Sequence, residues 1–596
     1  MLRPLPAPAR RIVANSRPGG APSRVTRATR GEYVAGVLLT PPGGRRNVNR
    51  PRKLLALAGA SALIVTLAAC GDGERETDSG NGGSSGSGGE SDDAGSSAPW
   101  TLGTTESVTA MDPAGSYDFG SWNMQYNIFE QLLTIPAGAD EPVGDAAESC
   151  DYDDPQTITC TLREGLTFSN GNELTSSDVL FSLQRNLEIN DPNGSSVLLG
   201  SISNGDAENQ ALADGAIETP DDLTVVFNLN QPDTTFLKLL STATTSIVDE
   251  ESFPADELAA DDAVIGSGPY ALESFKKGEQ AVLVANESYD GERAGAAPQI
   301  FVTYFSDPAA LRTAIASEQV DIAWRTLSPT DLNSLEDEGK VDVLRGEGSE
   351  FRYWVWQTGK GGPGKDVAVR QASAQLIDRQ AIADNAYDGT VTPSLSIVPP
   401  GFAGQKDSFG EVYGDAPDVD AAKAILDDAG VATPVKITLG YTPTHYGPNA
   451  VDEATEFADQ LNESGLFEVE LADAEWEEYQ TLYKEGAYDL FILGWYPDIL
   501  DADNYLTPFI RDGGFFENGY SNPEVNTLLD QELGETDTAK RDEQIGQLQD
   551  LTANDVPLIP SWNGQNVAVA TGKMSGVEET LDPTYIFRFW GISKSE

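Results

Sequence analysis

The sequence has few histidines and cysteines. It contains one histidine, His445, and three cysteines in 596 residues. A single histidine leaves little material for a histidine-based catalytic triad, or for a metal or haem site that uses histidine ligands. Acidic pairs are so numerous that they single out no catalytic site. We therefore expect a protein that is not an enzyme and that holds no metal and no cofactor.

Basic side chains are scarce except at the N-terminus. Residues 1–69 hold 12 of the 38 lysines and arginines and a single acid, Glu32, so the remaining chain carries 26 basic and 94 acidic residues. A net charge of −68 on that part repels nucleic acid and anionic lipid headgroups. It is typical of a solvated, secreted surface, with a cationic ligand or salty surroundings as alternatives.

Long apolar runs are also missing. The longest, residues 54–69, has 16 residues, which is short for a membrane span but suits the apolar core of a signal peptide. Arg50, Arg52 and Lys53 precede it, and it ends in Leu-Ala-Ala-Cys at Cys70. This ending resembles the lipobox of bacterial lipoproteins, which implies cleavage before Cys70 and a diacylglyceryl group on its thiol. Two acyl chains suffice for stable anchoring.

The segments around the lipobox complete this prediction. Residues 1–47 fit no secretion signal, so we expect a mis-assigned start, with Val48 as a candidate. Residues 71–98 are rich in glycine, serine and acid, which predicts a flexible tether of roughly 30 Å. We thus expect a mis-assigned start and signal peptide over 1–69, and a lipidated cysteine with its tether over 70–98. The folded body would be held on the outer face of the cytoplasmic membrane.

The other two cysteines, Cys150 and Cys160, lie ten residues apart around a turn. The alternating segment 157–162 predicts a strand, and a hairpin would bring the two side chains together. Outside the membrane such a pair should form a disulfide. A metal or redox pair is the alternative, but no third ligand is near in sequence and the CxxC spacing is absent.

From Trp100 onward, segments typical of strands and helices alternate without an internal repeat, which predicts α/β lobes. The pattern predicts strands over 157–162, 221–228 and 488–493, a helix starting at Thr175 or Ser176, one helix over 369–387, and another over 452–464.

Several motifs occur in a specific order. They read LREGLTFSNG at 162–171, LTSSDV at 174–179, GSGPY at 266–270, VRQA and IDR within 369–379, GWYPD at 494–498 and YSNPEV at 520–525. Through these motifs the chain, from about residue 100 to its end, resembles the oligopeptide/dipeptide-binding family of extracytoplasmic solute-binding proteins of ABC importers.

The resemblance implies a fold and a function. The fold would be α/β, periplasmic-binding-protein-like type II, with two lobes joined by a hinge and an enlarged first lobe carrying an extra subdomain. We expect lobe I over 99–302, lobe II over 303–559 and a return to lobe I over 560–596, with crossings near 301–305 and 558–562. The protein would be a monomer that captures oligopeptides or dipeptides in the interlobe cleft and delivers them to an ABC permease and ATPase complex. An oligosaccharide-binding protein of the same fold and a peptide-signal receptor are the alternatives.

The resemblance also implies site residues. Asp498, three residues after Trp495, would meet the α-ammonium group of a peptide, although Asp501 and Asp503 follow closely and Asp498 could instead cap a turn. The candidate walls of the cleft, each also a candidate for the core, are Trp122, Trp354, Trp356, Trp495 and Tyr496. Gln357 stands where the family usually has asparagine, which puts that contact in doubt.

Overall fold

The computed structural model describes residues 97–204, 210–447 and 449–595. The predicted signal peptide, Cys70 and nearly all of the predicted tether lie outside the described residues. Within the described ranges, no helix is both long and apolar enough to cross a membrane.

The strands, in chain order, are β1 (Trp100–Thr104), β2 (Leu133–Thr134), β3 (Val143–Gly144), β4 (Ala147–Asp154), β5 (Thr157–Leu162), β6 (Ser203–Asn204), β7 (Ala211–Leu212), β8 (Ile217–Asp221), β9 (Thr224–Asn228), β10 (Tyr270–Lys276), β11 (Gln280–Ala285), β12 (Gln299–Tyr304), β13 (Ile322–Trp324), β14 (Asp342–Gly346), β15 (Phe351–Trp356), β16 (Thr392–Pro393), β17 (Val435–Tyr441), β18 (Phe467–Asp473), β19 (Leu490–Trp495), β20 (Leu558–Asn563), β21 (Asn566–Ala570), β22 (Met574–Ser575) and β23 (Ser593–Lys594).

The α-helices are α1 (Phe119–Ile128), α2 (Ser176–Ile189), α3 (Phe236–Leu239), α4 (Pro308–Ala316), α5 (Pro329–Glu338), α6 (Val367–Ala374), α7 (Arg379–Tyr387), α8 (Ser408–Tyr413), α9 (Val419–Ala429), α10 (Ala450–Glu463), α11 (Trp476–Glu485), α12 (Thr507–Ile510), α13 (Pro523–Leu533) and α14 (Thr538–Asp555).

Two mixed sheets organise the chain into two lobes. Lobe I is built around the first sheet and lobe II around the second. The first has the strand order β10-β11-β12-β1-β13-β21-β14, and the second has the order β16-β20-β15-β19-β17-β18. In the first sheet β1 runs parallel to β12 and β13, and in the second β17 runs parallel to β18 and β19. Each sheet lies in its own apolar core, so the expected α/β, two-lobed fold is present.

The chain crosses between the sheets at 347–350, between β14 and β15, and returns at 564–565, between β20 and β21. The prediction of a first crossing at 301–305, with lobe II starting at 303, is wrong. β12 pairs with both β1 and β11, so it is an interior strand of the first sheet, and β13 and β14 follow it there. The predicted return at 558–562 is also misplaced by a few residues, because those residues form β20 of the second sheet.

Lobe I carries an extra subdomain with its own core. The antiparallel sheet β4-β5-β9-β8 and helix α2 bury side chains such as Phe168, Leu183 and Phe227. Helix α2 starts as predicted, directly after Thr175. There the Asp178 carboxylate accepts a hydrogen bond of 2.8 Å from the Thr175 N–H.

Other predicted elements are confirmed with changed boundaries. The helix over 452–464 is α10, the strand over 488–493 is β19, and the strand over 221–228 is mainly β9. The single helix predicted over 369–387 is wrong, because the chain forms α6 and α7 with a break between them. Asp378 caps the second helix by accepting a hydrogen bond of 2.9 Å from the Ala381 N–H.

Cys150 and Cys160 form a disulfide, as predicted. They lie directly opposite each other on the paired strands β4 and β5, at the edge of the subdomain sheet. The bond therefore joins two strands that the hairpin already holds in register.

The disulfide should stabilise the subdomain. Closing a loop of this length is worth about 3 kcal/mol in the chain-entropy model, so the Cys150→Ala, Cys160→Ala double variant should lose up to about that much free energy of unfolding in a urea titration. Alanine suits the site because Cys160 is fully buried. Wild type in strong reductant should match the variant, and an unchanged unfolding curve would contradict the prediction.

Candidate functional site

The site lies where the carboxyl ends of parallel strands from the two lobes meet. In open α/β sheets this edge is where ligands bind. Arg325 directly follows β13 of lobe I, and Tyr496 directly follows β19 of lobe II. The Arg325 guanidinium lies 4.6 Å from the centre of the Tyr496 ring, so the two strand ends are in contact across the cleft.

Asp498 occupies the lobe II side of this cleft and is half-buried. Its Oδ1 accepts a hydrogen bond of 2.6 Å from the hydroxyl of Tyr117 in lobe I, and its Oδ2 accepts one of 3.4 Å from Asn504 Nδ2. The Asn504 Oδ1 atom accepts from both the Asp498 N–H and the Trp495 indole, at 2.8 and 3.0 Å. Asn504 therefore holds the Gly-Trp segment and Asp498 in one arrangement.

The Asp498 carboxyl group has no cationic partner among the described residues. Burial raises its pKa to about 6, and the hydrogen bonds from Tyr117 and Asn504 oppose part of that increase. A desolvated carboxylate held only by neutral donors is suited to a cationic group of a ligand.

The neighbouring acids are already engaged. Asp501 pairs with Arg541 at 2.7 Å and with Lys238 of lobe I at 3.3 Å, and these cations hold its pKa below the usual value although burial opposes them. Asp501 also caps the turn over 502–505 by accepting from the Asp503 N–H. Asp503 is nearly buried, and it accepts a hydrogen bond from the Thr507 hydroxyl. The capping role considered for Asp498 thus belongs to Asp501.

Trp354 and Trp356 do not line the cleft, so the prediction for these two residues is wrong. Both are fully buried in lobe II, where Trp354 packs on Phe457 and Trp356 donates a hydrogen bond of 3.3 Å to Ser373. Their strand, β15, lies between β19 and β20 and is buried along its whole length. An oligosaccharide, the alternative ligand, would need wide aromatic surfaces in the cleft, and these two tryptophans do not provide them.

The other three predicted aromatic residues lie at or near the cleft. Tyr496 contacts Phe119 and Tyr585 of lobe I, with ring centres 5.0 and 5.2 Å apart. Trp495 packs within lobe II and reaches the site through Asn504. Trp122 is buried behind Tyr117, whose ring lies 5.6 Å away.

The described residues contain no cluster of three or more histidine, cysteine or acidic side chains able to hold a metal ion.

Sequence reasoning offered only Trp122 on the lobe I side of the site and missed the other residues there. Tyr117, Phe119, Arg325 and Tyr585 all contact Tyr496 or Asp498 across the cleft. For Arg325 a signal was present, because it directly follows a short apolar segment that forms a strand, at the edge where ligands bind. Tyr117 and Phe119 lie in a loop and at a helix start, where the sequence carries no comparable signal.

Comparisons with known proteins show the family to which the chain belongs. The family model described as "Bacterial extracellular solute-binding proteins, family 5 Middle" matches residues 141–517. The chain is 26% identical over 487 residues to the oligopeptide-binding protein OppA of Bacillus subtilis, a match that covers 78% of this chain and 88% of that protein. It is 25% identical over 549 residues to the dipeptide-binding protein DppE of the same organism, covering 89% and 97%.

A solved structure supports the fold. The periplasmic binding protein DppA of Helicobacter pylori, in complex with the peptide STSA, superposes with a TM-score of 0.68 at 22% identity. The superposition covers 84% of this chain and 99% of that one. At this level of identity the likeness concerns the fold alone.

The desolvated Asp498 should lower the stability of the folded protein. Its pKa of about 6 lies above the usual 3.8, so the cost of ionising it in the folded state is fully present above pH 6 and is lost as the pH falls toward 4. Asp498→Asn should therefore raise the free energy of unfolding by about 1 to 2 kcal/mol at pH 8, and by little at pH 4. Urea titrations at both pH values measure this, with Asp428→Asn on exposed α9 as the control. A destabilised Asp498→Asn variant at pH 8 would contradict the prediction.

Proposed function

Because this chain belongs to family 5 of the bacterial extracellular solute-binding proteins, we propose that it captures short peptides between its lobes and delivers them to the permease and ATPase of an ABC importer. The chain is a binding protein rather than an enzyme. Peptide is the favoured solute because relatives that match most of the chain are named as peptide-binding proteins.

The observation that carries the proposal is the unpaired carboxylate of Asp498 at the meeting point of the lobes. The α-ammonium group of a peptide has the charge and the hydrogen-bond donors that this carboxylate lacks. The Tyr117 hydroxyl occupies one of its oxygens, so an incoming ammonium group would bind beside this hydroxyl or displace it. The aromatic rings of Phe119, Tyr496 and Tyr585 pack together across the cleft and would help to exclude water from it.

Closure of the lobes would make loaded and empty protein differ in shape. Beyond the cleft, the lobes are held together by a backbone hydrogen bond of 2.9 Å from the Thr234 N–H to the Leu533 carbonyl. Lys238 of lobe I also donates to the Leu500 carbonyl, at 3.0 Å. A ligand that contacts both lobes would shift the population toward this closed form, which the importer can recognise.

We further propose that the protein acts as a monomer held on the outer face of the cytoplasmic membrane by a lipid on Cys70. The apolar segment 54–69 and the small residues before Cys70 support this anchor. The acidic tether would hold the binding lobes away from anionic lipid.

Peptide binding should depend on Asp498 and on a free amino terminus. Isothermal titration should show that Asp498→Asn loses about 2 kcal/mol or more of the binding free energy for trialanine, which is about 30-fold in Kd. The reason is that the ammonium group of the peptide would be buried without its counter-charge. N-acetyl-trialanine should bind wild type as weakly as trialanine binds the variant. Wild-type affinity should fall as the pH drops below about 6, where Asp498 takes up a proton, and the variant should lack this dependence.

Asp428→Asn removes the same charge from exposed helix α9 and serves as the matched control, with unchanged affinity expected. Equal affinities of wild type and Asp498→Asn for trialanine would remove Asp498 from the site. Failure of a broad mixture of peptides to bind wild type at all would overturn peptide as the solute class.

The proposed anchor should be lost when the thiol is removed. Cys70→Ala should move the protein from the membrane fraction to the soluble fraction of a bacterial host, and mass spectrometry of the wild-type N-terminal peptide should show a diacylglyceryl group on Cys70. Cys150→Ala with Cys160→Ala controls for loss of thiols in general. Retention of Cys70→Ala in the membrane fraction would contradict lipid anchoring.

A further inference from the structure

We propose that Arg325 binds an anionic group, a carboxylate, of the same solute whose ammonium group meets Asp498. This inference rests on the proposed function and narrows it: the preferred solute would be zwitterionic, with one charge held by each lobe. The carboxylate can come from a free C-terminus or from an acidic side chain of the solute.

The first observation is the position of Arg325 at the ligand-binding edge of lobe I. It follows β13, which lies beside the parallel strand β1. The loops after these two strands are joined by a hydrogen bond between the hydroxyls of Thr105 and Thr326. The Arg325 guanidinium lies 4.6 Å from the ring centres of both Phe119 and Tyr496, and therefore contacts both lobes.

The second observation is that hydrogen-bonding capacity is left over on this side chain. The Nε and Nη1 atoms of Arg325 are buried and donate to no acceptor among the described residues. Glu106 Oε1 lies 3.0 Å from Nε and balances the charge, but without the geometry of a hydrogen bond. A guanidinium has five donors in a planar fork, and buried donors without acceptors are rare and costly. A carboxylate is the acceptor whose shape matches that fork.

The third observation is the backbone. Arg325 and Thr326 have φ values of +61° and +65°, so two consecutive residues other than glycine adopt the left-handed conformation. Each costs of order 1 kcal/mol or more, and such conformations cluster at ligand-binding sites. Here the conformation ends β13 abruptly, and the Arg325 side chain lies among the aromatic rings of the cleft rather than in the sheet.

Other buried arginines of the described chain do not share this position. Arg541 pairs with Asp501 and Glu532 within lobe II, and Arg588 pairs with Asp582 within lobe I. Arg352 also has donors without acceptors, but its side chain is only 2% exposed. It lies between two acids, Glu350 and Glu453. Its guanidinium also packs over the rings of Tyr446 and Trp562. Arg325 is 13% exposed and contacts the opposite lobe.

The test uses isothermal titration of the full-length protein, purified in mild detergent, with three peptides: trialanine, trialanine amide and Ala-Glu-Ala amide. Wild type should bind trialanine at least 10-fold more tightly than its amide. Arg325→Gln should reduce this ratio of affinities to about 2-fold or less, because it should weaken the binding of trialanine and leave the binding of the amide nearly unchanged. Arg345→Gln, on β14 of lobe I, removes the same charge outside the cleft and should keep the wild-type ratio.

The third peptide separates the two sources of the carboxylate. If wild type binds Ala-Glu-Ala amide more tightly than trialanine amide, and Arg325→Gln does not, an acidic side chain of the solute binds at Arg325. No recovery, together with a strong effect of amidation, would place the C-terminus there. Both outcomes support the inference.

Other outcomes contradict it. If wild type binds trialanine, its amide and Ala-Glu-Ala amide with equal affinity, peptide capture stands and the role of Arg325 is wrong. The role of Arg325 is also wrong if amidation of trialanine lowers its affinity for wild type and for Arg325→Gln to the same extent. If none of the three peptides binds wild type, the proposed function itself fails. Circular dichroism and thermal unfolding check that Arg325→Gln folds, and Arg325→Lys, which keeps the charge but not the fork, should show an intermediate ratio.

Discussion

The rest of the structure depends on how closely its two interlobe crossings pack together. A side chain at Gly348 would place its Cβ 2.4 Å from the Gly564 carbonyl oxygen, so the two backbones meet with no room for anything larger than glycine. The Gly564 N–H donates to the Glu350 carbonyl at 3.0 Å, and the Tyr505 hydroxyl donates to the Ser349 carbonyl at 2.6 Å. Both connections thus lie at one place, which is the arrangement expected of a hinge between two lobes. The same arrangement brings the carboxyl ends of β13 and β19 to face each other.

The cleft that results contains charged groups whose pairing within the protein is incomplete. Asp498 is desolvated without a cation, and Arg325 has buried donors without acceptors and a left-handed backbone. Other buried charges are paired closely, as with Arg185 and Asp112 at 2.6 Å or Arg293 and Asp145 at 2.6 Å. Incomplete pairing at the interlobe contact is what a binding site requires, because a solute can supply the missing partners and so favour closure.

Much of the fold could be predicted from local sequence, and the site only in part. The capping residues at Thr175 and the cysteine spacing around a turn act over a few residues, and both features are present as expected. Trp354 and Trp356 were misjudged because a tryptophan in an apolar strand looks the same whether its strand lies in the middle of a sheet or at a cleft. The first crossing was misplaced for a similar reason, since β12 through β14 resemble any other strands until their partners are known.

The sequence by itself determined the alternation of strands and helices, the disulfide, the family resemblance and the Gly-Trp segment that carries Asp498. These features depend on composition and on contacts between residues close in the chain. Only the tertiary structure decided that Tyr117, 381 residues away, bonds to Asp498 and that Arg325 faces Tyr496. Those contacts join segments from different lobes, and their distances depend on the packing of two separate sheets about the crossings. No local pattern of residues encodes that packing.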